Sequence, residues 1–520
     1  MLWQYLLHII EGWNGEVIIM GDFNEVRTAE ERFGSIFNVN GAAAFNSFIN
    51  SGGLVEVPSG GYTFTWALKS AAKMSKLDRF LISEDLMRAC PHISSITLDR
   101  FLSDHRPILL RELNLDYGPT PFRFFHNWFD LEGFNSFVSS TWNSISIQEP
   151  NGMLMFVKKL KILKGQIRLW VKDKKDKANI VKKNLKKKIA DIDLHLDKGD
   201  VTPVTLGDRL ASFNKLLELE KTEAIDLAQK AKIKWAIEGD ENSKYFHGII
   251  NKQRNNLAIR GIMADGHWIE EPSAVKNEFL SHFKDRFDVP CKNRLFLDMP
   301  FPNMLSSDQI LDLEKPFSKE EIKGAVWDCG LNKSPGPDGF TFEFYRKFWP
   351  ILEEDIKVAV DHFFHHGYVQ KGGNASFIAL IPKSPDAKMV KDFRPISLIS
   401  SLYKIITKLL ANRLVLVVGG LVNEVQSAFI ANRQILDGPF ILNEIIHWCK
   451  AKKKQSMIFK VDFEKAFDSV RWDFLDDILE KFGFGMRWRD WIQSCLKSSR
   501  GSILVNGSPT SEFQFHKGLK

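Results

Sequence analysis

Hydrophobic and polar positions alternate differently in three zones of the chain. From the amino terminus to about residue 115, short apolar runs such as EVIIMGDF and KLDRFLIS predict strands, and AAAFNSFINSGG between them has helical spacing. EVIIMGDF is continuously apolar, which is typical of a buried strand that ends in a polar turn. The first zone is therefore predicted to be an α/β unit.

The second zone, residues 116–310, has a helical and basic pattern. Apolar residues recur at three- and four-residue spacings on both sides of the break GDVTPVTLGD, which predicts two long helices in an antiparallel hairpin. The lysines between Lys158 and Lys188 could bind a nucleic-acid backbone. Alternatively, they could form a solvated helix face that is balanced by Glu and Asp further along.

The third zone, residues 311–520, is again mixed α/β. Its pattern predicts a loop at NKSPGPDG, a strand at ASFIALIPKS, a helix at ISSLYKIITKLLANRL and a continuous apolar strand at SMIFKVDF. RGSILVNGSPTSEFQF predicts a hairpin that turns at NGS. We therefore expect three domains, residues 1–115, 116–310 and 311–520, with a helical basic linker in the middle.

Composition narrows the class of protein. A chain of 520 residues with 44% hydrophobic and 26% charged residues is typical of a globular protein with two or three domains. The net charge of +7 suits a polyanionic partner. The five cysteines include no CxxC pair, which disfavours a zinc site or a disulfide framework. No apolar run reaches about 18 residues, so no membrane span is expected, and the amino terminus does not have the pattern of a signal peptide.

Asp462 is the candidate with the most specific chemistry. It stands at the carboxyl end of the predicted strand SMIFKVDF, and a turn and a helix follow. Mg²⁺ prefers carboxylate oxygens together with substrate phosphates, and two such ions can drive in-line phosphoryl transfer. Taken alone, Asp462 could simply end a strand, and Asp468 could cap the next helix.

The motifs that precede Asp462 change this balance. KSPGPDGF, LIPK, FRPISL and QSAF come before FKVDFEKAFDSV in this order. The series resembles the fingers and early palm of a reverse transcriptase, and it is similar to the LINE-type (non-LTR) retrotransposon polyprotein over about residues 311–520. The resemblance implies an RNA-directed DNA polymerase that uses Mg²⁺ and deoxynucleoside triphosphates.

The resemblance also assigns roles to single residues. Asp462 corresponds to the first metal-binding aspartate, assisted by the backbone carbonyl of Phe463. Phe467 stands where the family places a steric gate against the ribose 2′-OH. Arg394 would hold the incoming triphosphate, which suits a planar guanidinium, although a surface salt bridge is the alternative. Lys383 would lie near the nucleotide or the template.

A second set of polar residues lies in the first zone. Asp22 and Asn24 end one predicted strand, and Asp104 and His105 begin another in FLSDHRPILL. A carboxylate and an amide can position a phosphate and a water, and an Asp beside a His can orient it. Each motif alone could be turn chemistry. With YTFTW and SKLDRFL between them, the motifs resemble the second half of the endonuclease/exonuclease/phosphatase superfamily over about residues 12–113.

In that family the first pair activates water and stabilises the phosphate, and the second pair forms the late catalytic pair. Asp78 in SKLDRF would support the site. Trp66 in TFTW would contact nucleic acid, or would simply pack in the core. An endonuclease followed by a reverse transcriptase is also the order of a LINE-type polyprotein.

Several parts of both families do not occur in this sequence. They are the early Asn and metal-binding Glu of the endonuclease, and the paired aspartates and thumb that follow the reverse transcriptase hairpin. We therefore expect a partial two-sheet sandwich, partial fingers and palm, and incomplete catalysis in both halves. The alternatives are a non-catalytic nucleic-acid-binding remnant and a non-functional open reading frame.

The resemblance implies further properties. The expected partners are an RNA template, target DNA and nucleotide, with no membrane, and the expected location is the nucleus. KWAIEGDENSKYFHGIINKQRNN, residues 234–256, resembles a segment between the two enzymes of plant-type LINE polyproteins.

Overall fold

A computed structural model describes the chain apart from residues 1, 200–201, 231–257, 295, 332, 371, 385, 464 and 520, and apart from the side chains of residues 222–230. The segment 234–256 therefore lies outside the described residues. The described residues form a mixed α/β protein with several small sheets, so the predicted class is confirmed at this level. None of the helices in the described part is long and apolar enough to cross a membrane.

The amino-terminal part, residues 2–113, alternates short strands with three helices. Its helices are α1 (Leu2–Gly12), α2 (Val39–Ser51) and α3 (Glu84–Ala89). Its strands are β1 (Ile18–Asp22), β2 (Arg32–Phe33), β3 (Leu54–Glu56), β4 (Ser59–Gly61), β5 (Trp66–Ala67), β6 (Met74–Ser75), β7 (Asp78–Ser83), β8 (Ile93–Thr97) and β9 (Ile108–Glu112).

These strands form three sheets of three strands each, in the orders β1-β7-β3, β2-β6-β5 and β4-β8-β9. Helix α2 covers the first sheet because its apolar side chains Phe45, Phe48 and Ile49 are buried against Leu54 and Leu81. The described strands thus make smaller sheets than the predicted partial sandwich, and the sandwich itself stays a prediction.

Strand β1 is exposed, and the expectation that EVIIMGDF is buried is wrong. Ile18 is 50% exposed and Met20 is 69% exposed. The strand pairs with β7 along one edge, and its other edge has no partner strand among the described residues. An apolar run predicts a buried strand only when other elements cover both of its faces, and here they do not.

The second zone contains α4 (Phe134–Ser144), α5 (Gly152–Asp197) and α6 (Pro203–Lys230). Helices α5 and α6 pack against each other as the predicted hairpin. Ion pairs join them across the hairpin, for example Lys186 to Glu220 at 3.4 Å and Arg209 to Asp193 at 2.5 Å. The prediction of a helix pair is therefore confirmed.

The predicted linker also contributes to the main hydrophobic core. Phe124, Phe134 and Phe156 are buried in one cluster with Phe344 and Ile406 from the third zone. We call the residues that share this core, which lie in 122–171 and 305–495, the main body. The core therefore crosses the predicted boundary at residues 310 and 311.

The remaining elements follow α6. The helices are α7 (Pro272–Arg286), α8 (Ser307–Glu314), α9 (Lys319–Trp327), α10 (Phe342–Lys347), α11 (Trp349–His366), α12 (Ser401–Leu421), α13 (Asp437–Ala451), α14 (Ala466–Ser469), α15 (Trp472–Lys481) and α16 (Met486–Lys497). The strands are β10 (Ile262–Ala264), β11 (His267–Ile269), β12 (Ala375–Pro382), β13 (Phe393–Ile399), β14 (Arg500–Val505), β15 (Ser508–Pro509) and β16 (Phe513–Gln514).

Strands β12 to β16 form one sheet in the order β13-β12-β14-β15, with β16 also paired to β14. β12 is antiparallel to β13 and parallel to β14. β14 and β15 are joined by Asn506 and Gly507, whose φ angles are +49° and +82°. Asn-Gly with two positive φ angles is typical of a tight hairpin turn, so the predicted NGS hairpin is confirmed.

Two expectations around Asp462 are wrong. The segment SMIFKVDF is not a strand: it pairs with no described strand, and Phe459 and Phe463 are 81% and 76% exposed. A strand needs a neighbour that completes its backbone hydrogen bonds, and an apolar run alone does not supply one. Asp468 does not cap the next helix, whose N-cap is Arg471, and its carboxylate accepts a hydrogen bond from the Arg286 guanidinium.

A buried lysine joins the amino-terminal part to the turn between β12 and β13. Lys388 is 6% exposed, and its Nζ donates to the Tyr62 carbonyl at 3.0 Å. Burial lowers the pKa of Lys388 to about 8, and the carboxylate of Asp386, 3.5 Å away, opposes this shift. The Lys388 ammonium is therefore less favourable in the folded protein than in the unfolded chain.

Stability should consequently rise with pH above neutrality. The folded pKa of Lys388 lies below the unfolded value, so the unfolded chain binds more protons between them and unfolding becomes harder as pH rises. From about pH 7.5 to about 9.5, wild type should gain about 2 kcal/mol of unfolding free energy relative to Lys388→Met. Urea titrations of both proteins measure this. Lys391→Met, at an exposed lysine, should follow wild type, and parallel pH profiles for all three would contradict the account.

Candidate functional sites

Three of the polar residues predicted in the amino-terminal part meet at the ends of β1 and β7. Asp22 and Asp78 are directly opposite each other in the antiparallel register of these strands. His105 donates its Nδ1–H to the Asp78 carboxylate at 2.8 Å. Its Nε2 lies 3.8 Å from Oδ2 of Asp22, too far for a direct hydrogen bond but near enough to share a water or a phosphate oxygen.

Backbone contacts fix the other predicted residues beside this cluster. His105 forms an antiparallel bridge with Trp66, and Trp66 Nε1 donates to the Asp104 carboxylate at 2.9 Å. This hydrogen bond lowers the pKa of Asp104. Asn24, at φ +54°, donates its backbone N–H to Oδ1 of Asp22 at 2.8 Å. All six predicted residues thus lie in one region.

The pairing within the cluster differs from the expectation. Asp104 and His105 were expected to act as a pair, but the carboxylate that contacts His105 is Asp78, and Asp104 is bound by Trp66. In extended chain, the side chains of consecutive residues point to opposite sides. The neighbour of His105 in the sequence is therefore not its hydrogen-bond partner. Trp66 is half-buried and uses its indole N–H, so it is not simply a core residue.

Thr65 supports the cluster and was not predicted. It is 1% exposed, and its Oγ1 accepts the N–H groups of Leu77 and Asp78, both at 2.9 Å. These two bonds fix the start of β7 and therefore the position of Asp78, its first residue. The alternation of TFTW was visible in the sequence, but the partner N–H groups are twelve and thirteen residues away.

The KSPGPDGF loop is held against the end of β13. The carboxylate of Asp338 accepts the N–H of Ser401 at 2.7 Å, and Ser401 begins α12 directly after β13. Burial raises the pKa of Asp338, and the hydrogen bonds from Ser401 and the charge of Lys164 oppose that rise. A side chain at Gly336 would collide with the carbonyl of Ile399, so this close approach requires glycine. Two of the quoted motifs therefore form one unit.

Arg394 and Lys383 lie at the same end of the β12–β13 ribbon. Arg394 pairs with Ile381 in the register and is exposed. Within the part of the chain that the structure describes, the Arg394 side chain makes no hydrogen bond or ion pair, which goes against the salt-bridge alternative. Lys383 is also exposed, and its Nζ donates to the Lys391 carbonyl at 2.6 Å. Of these two cations, Arg394 is thus the one whose side chain has no partner among the described residues.

Asp462, Phe463 and Phe467 lie on an exposed stretch of chain. Asp462 is exposed, and Phe467 is 63% exposed. The ring of Phe467 meets that of Phe429, in the QSAF motif, edge to face at 6.3 Å. Leu519 donates its backbone N–H to the Phe467 carbonyl at 2.8 Å. The structure therefore brings the QSAF motif to Phe467, while Asp462 belongs to no group of three or more potential metal ligands among the described residues.

The described residues do not make a complete magnesium site. No group of three or more His, Cys, Asp or Glu side chains in the described ranges is arranged to hold a metal ion. Asp462, with the backbone of Phe463, would supply a small fraction of the oxygens that two Mg²⁺ ions need. These residues therefore fit a divalent metal ion only in part.

Comparison with known proteins agrees with the motif series. Residues 381–520 match the family model "Reverse transcriptase (RNA-dependent DNA polymerase)". The Transposon TX1 uncharacterized 149 kDa protein of Xenopus laevis is 25% identical over 97% of this chain and 39% of its own length. Retrovirus-related Pol polyproteins of R2 elements are also similar. The one from Nasonia vitripennis is 30% identical over 38% of this chain and 18% of its own length. The R2DM protein of Drosophila melanogaster is 25% identical over 44% and 21%.

These matches establish a reverse transcriptase domain at residues 381–520 and homology to the polyproteins of non-LTR retrotransposons. The predicted resemblance is confirmed to that extent. The chain spans about two fifths of the TX1 protein and about a fifth of the R2 proteins.

Proposed function

We propose that the chain contributes the nucleotide-contacting side of an RNA-directed DNA polymerase and, in its amino-terminal part, a phosphodiester-cleaving site of the endonuclease/exonuclease/phosphatase type. The observation that carries the polymerase proposal is the exposed guanidinium of Arg394 inside the reverse transcriptase domain. A planar guanidinium without an internal carboxylate partner suits a triphosphate. Phe467 would stand against the ribose, Lys383 near the template, and RNA and target DNA would be the nucleic acids bound.

Arg394→Ala should weaken the binding of dTTP about tenfold to a hundredfold, because a charge-assisted hydrogen-bond pair is worth about 1.5–3 kcal/mol. Equilibrium titration of fluorescent dTTP against the 520-residue protein measures this. The matched control is Lys391→Ala, an exposed cation three residues earlier, which should leave the affinity within about twofold. Equal losses in both variants would show only general charge attraction, and undetectable binding by wild type would remove the proposal.

The second proposal rests on the contacts among Asp22, Asp78 and His105. With Nδ1 bound by Asp78, His105 keeps Nε2 directed at the space it shares with Asp22. We propose that a scissile phosphate oxygen occupies that space and that Asp22 accepts the proton of the attacking water. Asn24 and Trp66 would contact the nucleic acid, and Asp104 orients Trp66.

In the amino-terminal site, the described residues include the proposed acid–base groups but no group of three metal-binding side chains. The same is true around Asp462 in the reverse transcriptase domain. Mg²⁺ is the ion we propose at Asp462, and when bound it would neutralise phosphate charge. Because the ligand sets are partial, we propose that a polypeptide of residues 1–520 is catalytically incomplete as a polymerase and slow as a nuclease. The family's nuclear site of action is also proposed for this protein.

A further inference from the structure

Helix α5 carries a row of cations along one exposed side. Lys161, Arg168, Lys172 and Lys183 are all exposed, and their spacings of seven, four and eleven residues place them on the same side of an α-helix. At 1.5 Å per residue, the row is about 33 Å long. We call these four residues the basic row. Their alignment comes from helix geometry and not simply from an abundance of lysine.

Acidic residues neutralise a different set of cations on the same helix. Lys182 and Lys186 lie 3.5 Å and 3.4 Å from Glu220 of α6, and Lys188 lies 3.9 Å from Asp208. The basic row has no ion pair to any acidic side chain in the described parts of the chain. The balancing Glu and Asp therefore account for the cations beside α6 and leave the basic row without an ion pair among the described residues.

The start of the basic row is fixed to the main body. Lys164, on the neighbouring turn, donates to the Pro337 carbonyl at 3.4 Å, within the KSPGPDGF loop. Arg168 lies over the ring of Phe122, 5.4 Å from its centre. The backbone of Phe124 in turn bonds the Gly339 carbonyl at 2.8 Å. The row thus begins beside the loop that holds the end of β13, and it runs outward from there.

We propose that the basic row binds the phosphate backbone of a nucleic-acid duplex and guides it toward the reverse transcriptase domain. Its length matches one helical turn of a duplex, about 34–36 Å. Four cations in a line, without acidic partners, can neutralise successive phosphates and release their counterions. The inference rests on the proposed function only in assuming that the protein works on nucleic acid.

The test compares two variants of the full 520-residue protein that each lose four charges from α5. One is K161Q/R168Q/K172Q/K183Q, and the matched control is K177Q/K182Q/K186Q/K188Q, whose lysines all have acidic partners. Fluorescence anisotropy measures binding of a DNA duplex, an RNA duplex and a single strand at several salt concentrations. The probe bound most tightly identifies the kind of nucleic acid.

The slope of log affinity against log salt should fall by about 3–4 for the basic-row variant and by less than about 1 for the control. A third variant, K161R/K172R/K183R, should keep the wild-type slope, which separates lost charge from a damaged helix. Equal slopes for the first two variants, or no duplex binding by wild type in low salt, would overturn the inference. Titration with dTTP in parallel distinguishes this failure from failure of the proposed polymerase site.

Discussion

Replacing Arg413 by alanine is expected to lower the free energy of unfolding of the main body by about 2–4 kcal/mol. Arg413 is 4% exposed on α12, and it donates twice to the Glu321 carboxylate, at 2.9 and 3.1 Å. It also donates to the carbonyls of Leu313, Lys315 and Pro316 at 2.5–3.0 Å. Its removal takes a buried guanidinium away from the Phe317 ring, 3.5 Å from its centre, and leaves the half-buried Glu321 carboxylate and three carbonyls without this donor.

Arg433 provides the matched control. Like Arg413, it donates to several backbone carbonyls. The four acceptors are the carbonyls of Asn423, Gln426, Gly419 and Val422, at 2.6–2.9 Å. Arg433 is only half-buried, so water can replace it at these carbonyls. Arg433→Ala should cost no more than about 1.5 kcal/mol.

Urea denaturation followed by tryptophan fluorescence measures both variants. Equal losses of unfolding free energy in the two variants would show that burial of the arginine does not decide the loss, and would contradict the stabilising role proposed for Arg413. Because α12 follows β13 directly, loss of Arg413 should also weaken dTTP binding at Arg394. If the Arg413→Ala protein is folded but destabilised and still binds dTTP as wild type does, Arg413 does not influence the nucleotide site.

Asp22→Asn and His105→Ala should each slow phosphodiester cleavage by about 10²–10⁴-fold, the usual contribution of a positioned base or of the imidazole at the phosphate. Bis(p-nitrophenyl) phosphate with Mg²⁺ is a suitable substrate, because its good leaving group makes even a slow site measurable. Asp78→Asn should have a similar effect, since it removes the group that orients His105.

Asp99→Asn is the control for this series. Asp99 lies in the same part of the chain, and its carboxylate accepts a hydrogen bond from Tyr62 at 2.6 Å and lies 3.7 Å from the Arg106 guanidinium. Its rate should stay within about twofold of wild type. Hydrolysis by wild type no faster than buffer, or equal losses in Asp99→Asn and Asp22→Asn, would contradict the proposed cleavage site.

The location of the amino-terminal cluster could be predicted from the sequence, but its pairing could not. Asp22 and Asp104, about 80 residues apart, were assigned to one site because their motifs, with YTFTW and SKLDRFL between them, resemble the endonuclease/exonuclease/phosphatase superfamily. Which carboxylate would contact His105 depended on the register between β1 and β7 and on the Trp66 bridge. Those contacts join residues that are far apart in the sequence, so the local sequence pattern does not predict them.

The segment that carries Asp462 shows the opposite case. Its motif indicated the reverse transcriptase domain, while its apolar pattern predicted a buried strand that the described residues do not form. Propensity states which side chains suit a strand, but the neighbouring strand decides whether one forms. The same limit applies to residues 122–171, whose helical pattern was clear although its burial against the third zone was not.

The most direct test of the central claim is primer extension on an RNA template by the purified 520-residue protein, with dTTP and Mg²⁺. Asp462 is exposed, and the described residues contain no group of three metal-binding side chains. We therefore predict that the protein binds dTTP through Arg394 and does not extend the primer. Extension that wild type supports and Asp462→Ala abolishes would contradict the account, because it would show a complete metal site in these residues.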